Sequence, residues 1–373
     1  MSDEIKSIDE IIEEDIAVEE DVVTEADTIE VMADDDSDVD EYDFDEEIFD
    51  APREDGKVIR HGRKNGNVIH YVIFGLFAAI LIFAVIRLAI WNKGVASDYD
   101  PNADTTEYDV EPTDYIQPLN AEQIAQKSDD GVLTILTIGA STFGDNYPEN
   151  NLATAIGKAY GAEVINIGMT GTTLAQSTRE LSGDTPADGL SLYPVANALA
   201  SGDFAGVTKA AEGMGDEHRQ AVETMKSIDM SKVDAIFIMY DIEDYVNHRT
   251  LGCDADDLDP SSIYGALDGA AKMIQEKYPY IRIVMLSTPS CGKTIDGFYV
   301  DGDINDIGCG TLTEYMNMEL SAAADCGISF IDLYYGAINP DNRDKYIYDD
   351  YHINDAGAEA IAARIVKVIP SLE

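Results

Sequence analysis

Residues 132–146 read VLTILTIGASTFGDN. Seven residues drawn from Val, Leu, Ile and Thr run without polar alternation, which predicts a strand buried on both faces. Gly139, Ala140 and Ser141 follow at once, so a tight turn carries Ser141 out of that strand's carboxyl end. Four further runs have the same character: AEVINIG (162–168), VDAIFIMY (233–240), IRIVMLSTP (281–289) and ISFIDLYY (328–335). Helical patterns lie between or after them in ENNLATAIGKAY, SSIYGALDGAAKMIQEKY, TLTEYMNMELSAAADCG and NDAGAEAIAARIVKVI. Alternation of this kind predicts a parallel five-stranded sheet covered by helices on both faces, with its site beyond the carboxyl ends of the strands.

The predicted strand ends carry chemistry. Ser141 follows the first, and NIGMTGTT (166–173) follows the second with backbone N–H groups open to a ligand. MYDIEDY (239–245) follows the third. After the fifth comes YDDYHINDAG (348–357), where His352 stands three residues beyond Asp349 and just ahead of the last helix. A lone loop histidine is an ordinary surface residue, but a hydroxyl, an imidazole, a carboxylate and backbone donors along one rim are the parts needed for acyl transfer.

These residues resemble the SGNH/GDSL hydrolase superfamily, particularly its bacterial extracellular members, over roughly residues 130–370. The first block, usually Gly-Asp-Ser, stands as Gly139-Ala140-Ser141, and the second, Asn-x-Gly-x-x-Gly, as Asn166-Ile167-Gly168-Met169-Thr170-Gly171. The last, Asp-x-x-His, stands as Asp349-Asp350-Tyr351-His352. The resemblance implies a flavodoxin-like three-layer α/β/α domain of SGNH type. Ser141 would be its nucleophile, His352 the base and Asp349 the acid that orients the base, while the N–H groups of Ser141 and Gly171 would bind the oxyanion. No cofactor is implied. The third block departs from the family's Tyr-Gly-x-Asn-Asp: here it reads Tyr240-Asp241-Ile242-Glu243-Asp244. Glu243 and Asp244 thus occupy the binding positions, and Glu243 replaces an asparagine that would donate to the oxyanion. A lost donor of that kind costs about 10²–10³ in rate. That leaves a slow enzyme, one with another donor, or one in which burial keeps Glu243 protonated.

Between the second and third strands an insert of about residues 174–231 either borders the cleft or pads the fold with surface helices. Tyr351 either closes over the site or packs. His218 and His248 lack an acid at the required spacing and are expected at the surface. DINDIGCGTLTE (303–314) only half matches a calcium loop, because Ile307 occupies a ligand slot, and no Cys or His pairing suits zinc. No metal site is expected.

The flanking sequence is of another kind. Of the 73 acidic residues, 26 fall in residues 1–56 against two basic ones, so this stretch is expected to be a disordered cytoplasmic tail that could fold on a partner there. The rest of the chain still holds −25 of the −49 net charge, which argues against nucleic acid as a partner. Residues 57–67 are basic. Residues 68–91, VIHYVIFGLFAAILIFAVIRLAIW, contain no acidic residue and no proline and have the length of a membrane span. A signal peptide would begin nearer the start of the chain. Lys57, Arg60, Arg63 and Lys64 ahead of the run place the acidic tail inside and the C-terminal part outside. Residues 92–128 are expected to be a polar linker and 129–373 the hydrolase-like domain. Four cysteines, Cys253, Cys291, Cys309 and Cys326, would then lie where disulfides are permitted.

The expected function is a single-pass, membrane-anchored extracellular esterase acting on an O-acylated glycan or other small ester. Two alternatives are an O-acyltransferase of wall polymers using the same site, and a degenerate domain that binds glycan or protein without catalysis.

Overall fold

The computed structural model describes residues 111–372, except 128, 129, 147, 148, 150, 254, 255, 307 and 308, together with nine positions between 71 and 83. The chain divides into two units, 1–99 and 100–373.

In the second unit five parallel strands form one sheet: β1 (Thr134–Gly139), β2 (Glu163–Asn166), β3 (Ala235–Met239), β4 (Arg282–Leu286) and β7 (Ser329–Ile331), in the order β2-β1-β3-β4-β7. Every residue of β1, β3, β4 and β7 is buried, as their unbroken apolar runs require. Each fully buried Ile or Leu there contributes roughly 1.5–3 kcal/mol. All five strands lie within the runs read from the sequence. Strand order reverses direction at β1, which has β2 on one side and β3 on the other, so the crevice at the ends of β1 and β3 is where such a sheet binds ligands. Gly139 and Met239 are partners there, and a Cβ on Gly139 would stand 1.8 Å from the Met239 carbonyl oxygen. The glycine of the first block thus permits the close approach of the two strand ends.

Among the helices are α1 (Ser141–Gly144), α2 (Leu152–Tyr160), α3 (Leu192–Ser201), α4 (Ala205–Glu212), α5 (Asp216–Ser227), α6 (Glu243–Val246), α7 (Ile263–Lys277), α8 (Leu312–Cys326) and α9 (Asp355–Val368). Helix α2 packs on α9, while α7 packs on both α3 and α8, and these groups flank the sheet in three layers. Side chains start them where expected: Asn151 accepts from the Ala153 N–H, Ser262 from Gly265, and Asn354 from Gly357. The asparagine in HIND therefore fixes where the His352 loop ends and α9 begins.

Three features were not anticipated. An antiparallel hairpin, β5 (Gly292–Ile295) and β6 (Phe298–Asp301), follows β4. Its turn is Asp296-Gly297, both at positive φ, the geometry of a two-residue type I′ turn. The far end of the expected linker also joins the sheet: Tyr115 and Phe330 exchange backbone hydrogen bonds at 3.0 and 2.7 Å, and Arg364 pairs with Asp114 at 2.5 Å. Residues 113–117 thereby cover the β7 edge, which would otherwise expose unpaired backbone. The insert holds three α-helices, α3–α5, and two short 3-10 helices, Pro186–Leu190 and Met230–Lys232.

In the first unit the nine described positions are helical, and the apolar side chains of Tyr71, Phe74, Phe77 and Ile80–Phe83 are exposed. Among the described residues no helix is long and apolar enough to cross a membrane. The acidic tail, the basic flank and most of the run 68–91 lie outside the described residues. All four cysteines are free thiols.

Candidate active site

Ser141 opens α1 directly after β1 and is buried. Its backbone N–H lies in the first turn of a helix, so it has no intrahelical acceptor. His352 reaches the same place from the loop before α9. The two side chains line one narrow crevice, with Thr142, Asp145, Tyr348 and Ile353 in its walls; at about 20 Å³ it has room for one water. A wider depression of about 490 Å³ borders it, sharing Asn146, Tyr348 and Ile353.

The imidazole is held on three sides. Its Nδ1 lies 2.7 Å from Asp349 Oδ2, and the Asp349 carboxylate also accepts the backbone N–H groups of His352 and Tyr351 at 2.9 and 3.0 Å. Partial burial pushes the Asp349 pKa up, but these hydrogen bonds and the charge of His352 outweigh it and leave the carboxyl below its ordinary range. An ionised Asp349 fixes the Nδ1–H tautomer, assigned here from the hydrogen-bond network, and leaves the Nε2 lone pair free to act as a base. Tyr348 stacks on the ring at 5.7 Å and Tyr351 leans on it at 4.0 Å, so Tyr351 packs beside the imidazole. Nε2 faces Asp145 Oδ2 at 3.5 Å.

Gly171 lies in the turn after β2 at φ +76, with open space where a Cβ would stand. The turn is gripped from several sides. Asn166 donates to the Phe143 carbonyl at 2.7 Å and accepts the Gly168 N–H at 3.1 Å, tying it to the Ser141 helix. The Thr170 carbonyl accepts a hydrogen bond from His218 Nε2 at 2.9 Å, and the Thr170 hydroxyl lies 2.5 Å from Asp145 and 2.9 Å from Glu217. His218 is therefore buried against the turn rather than at the surface as expected. Its helix, α5, supports the site, while α3 and α4 supply bulk packing around Leu192, Val195, Leu199 and Val207.

The third block differs most from expectation. Asp244 is buried, and both its oxygens are taken by the backbone N–H groups of Leu174 and Ala175, at 2.7 and 2.9 Å. It positions the loop beyond Gly171 and does not bind an oxyanion; burial, only partly offset by those bonds, raises its pKa to about 7. Glu243 is not a bare charge, because the Lys293 ammonium of β5 pairs with it and the Tyr351 hydroxyl stands 3.4 Å away. Asp241 was not foreseen as a site residue. Its Oδ2 accepts the Ser141 N–H at 3.0 Å and also the Ser141 hydroxyl, so that hydroxyl is not donated to His352. The signal was legible as an acid where the family carries glycine, but the direction of its carboxylate was not.

Around the half-matched calcium loop, Asp301 and Asp303 are bridged by Arg343 at 2.6 and 3.1 Å, and Asp303 accepts from Ser290. A guanidinium thus occupies the place of a cation, and among the described residues no group of acids, His or Cys is arranged to hold a metal ion. His248 is exposed, as expected.

The family model of GDSL-like lipases and acylhydrolases matches residues 134–365. Among solved structures, a possible lipase from Chitinophaga pinensis is 16% identical with a TM-score of 0.42, covering 64% of this chain and 98% of its own. A carbohydrate acetylesterase from Sinorhizobium meliloti is 16% identical with a TM-score of 0.39, covering 65% and 100%. An aryl esterase from M. smegmatis is 17% identical with a TM-score of 0.40, again covering 65% and 100%. No curated protein matches the chain in sequence.

Proposed function

The chain belongs to the GDSL-like lipase/acylhydrolase family, and from that premise we propose that it is a membrane-anchored serine esterase removing an O-acyl group from a cell-envelope or extracellular glycan. One observation carries the proposal: His352, whose Nδ1 lies 2.7 Å from Asp349, lines the same crevice as Ser141. Ser141 gives its hydroxyl proton to His352 Nε2 as Oγ bonds to the acyl carbon. The carbonyl oxygen becomes an oxyanion held by the N–H groups of Ser141 and Gly171. Collapse breaks the bond to the sugar oxygen, which takes the proton back from Nε2. Water then enters by the same steps and releases the acid. A sugar hydroxyl in place of water would make the same acyl-enzyme an O-acyltransferase.

The purified full-length chain is expected to release p-nitrophenol from a short-chain ester, and Ser141→Ala to lower the rate by about 10³-fold or more. Equal turnover by the alanine variant rejects Ser141 as nucleophile. A second reading, a non-catalytic binding domain, is favoured by the Ser141 hydroxyl being engaged by Asp241. A chain that neither turns over esters nor reacts with a serine-directed probe, while folded, would support it.

Anchoring through residues 68–91 is supported by the first unit. Ile80–Phe83 are four consecutive helical residues, so their side chains point in four directions around the axis, and all are apolar and exposed. Over these four positions the helix offers no polar face to water.

A further inference from the structure

Ser141 stands two residues past the end of β1, and Asp241 two residues past the end of β3. Because Gly139 and Met239 are register partners in adjacent parallel strands, the two residues emerge side by side. The family's glycine has no side chain at the second position; here a carboxylate fills the space. Its Oδ2 lies 3.0 Å from the Ser141 N–H. That is the distance at which an oxyanion-hole donor holds its oxyanion, so a carboxylate oxygen occupies the place the substrate's oxygen needs. The same Oδ2 takes the hydroxyl proton of the nucleophile.

Resting on the esterase reading above, we infer that Asp241 is a further catalytic residue, controlling the oxyanion hole through its own proton. As a carboxylate it fills the hole and holds the Ser141 hydroxyl. As a neutral acid it loses its hold on the Ser141 N–H and hydroxyl, turns aside so that the substrate oxygen can enter the hole, and from beside it donates a hydrogen bond to the oxyanion, replacing the donor lost with the family's asparagine. A carboxylic acid kept neutral by an apolar setting is a known form of oxyanion donor.

The surroundings favour the neutral form. Asp241 is buried, and its Oδ1 has no hydrogen-bond partner. Burial pushes its pKa up; the Ser141 hydroxyl bond lowers it, the charge of Glu243 raises it, and His352 and the Ser141 N–H lower it. Of the other titratable groups around it, Asp244 and Tyr240 lie along its own segment, Cys291 immediately precedes the hairpin and Tyr351 flanks His352. Lys293 offsets the charge of Glu243. The sign follows: the active form holds its proton, so activity falls as pH rises through the pKa of Asp241, while the need for a neutral His352 removes activity at low pH.

The test is the pH profile of kcat/KM for short-chain ester hydrolysis by the full-length chain and its Asp241→Asn variant. The wild type is expected to give a bell. Asp241→Asn, with a permanent amide donor, is expected to lose the alkaline limb and to exceed the wild type about tenfold or more above neutrality. Asp241→Gly, which restores the family residue, should also lose that limb, and thermal unfolding reports whether each variant folds. A folded Asn variant with the wild-type profile overturns the inference while Ser141→Ala remains inactive, leaving the esterase reading intact. A wild-type profile flat to about pH 9 overturns it without any variant. No turnover and no Ser141 labelling in wild type or either variant instead overturns the esterase reading, and this inference with it.

Discussion

At the scale of single residues, the site depends on which proton each carboxyl keeps. Asp349 is partly exposed, hydrogen-bonded three times and held below its ordinary pKa, whereas Asp241 is buried and pushed above it. Two aspartates near one histidine thus receive opposite tendencies from their environments, the pattern that separates acid and base roles. Asp349→Asn keeps the size of the side chain but permits the opposite imidazole tautomer, and we expect kcat to fall about 10³- to 10⁴-fold with little change in KM. Steady-state kinetics check this; a loss below about tenfold would remove Asp349 from the orienting role. The Asp-x-x-His spacing was legible in the sequence because both residues sit on one short loop whose geometry is local. The position of Asp241 against Ser141 was not, since it depends on the register of two strands 100 residues apart.

At the scale of elements, the strands were legible because a parallel sheet buried on both faces needs apolar runs that little else in the chain provides. The hairpin β5–β6 was missed although its signal was present. KTIDGFYV places Asp-Gly between two short runs, which is a strong local hairpin sequence. Its consequence is functional as well as local: Thr294 N–H donates to Asp350 at 2.6 Å and Lys293 meets Glu243, so the hairpin braces the loop that carries His352. Glu243, in place of the family's asparagine donor, is read from the sequence without its cation, because Lys293 lies on the unrecognised hairpin. The apolar run 68–91 makes its own prediction. After alkaline carbonate extraction of membranes the full-length chain should remain in the membrane fraction, as a spanning helix is not released by charge or pH. Recovery in the supernatant would reject the anchor.

At the scale of the whole molecule, burial of acids in an already acidic chain governs stability. Burial raises Asp244 to about 7 and Asp303 to about 6, and also pushes up Asp241 and Glu319. Each binds its proton more tightly folded than unfolded, so their contribution is full below the ordinary carboxyl pKa and is lost as pH rises through the folded values. Asp301 and Asp349 are depressed; their contribution is present above the ordinary carboxyl pKa and fades below it. The stability maximum is therefore expected on the acid side, at about pH 5, with Tm falling as pH rises to 7. Thermal unfolding across that range checks it, and a Tm that climbs steadily toward neutrality would contradict the assignment of these buried acids. The convergence of Ser141 and His352 in one crevice is tested by exposing the folded full-length chain to a fluorophosphonate at several values between about pH 5 and 9 and locating the adduct by mass spectrometry. A single adduct on Ser141, abolished by His352→Gln, is the predicted result; no adduct at any pH, or one on another residue, would contradict it.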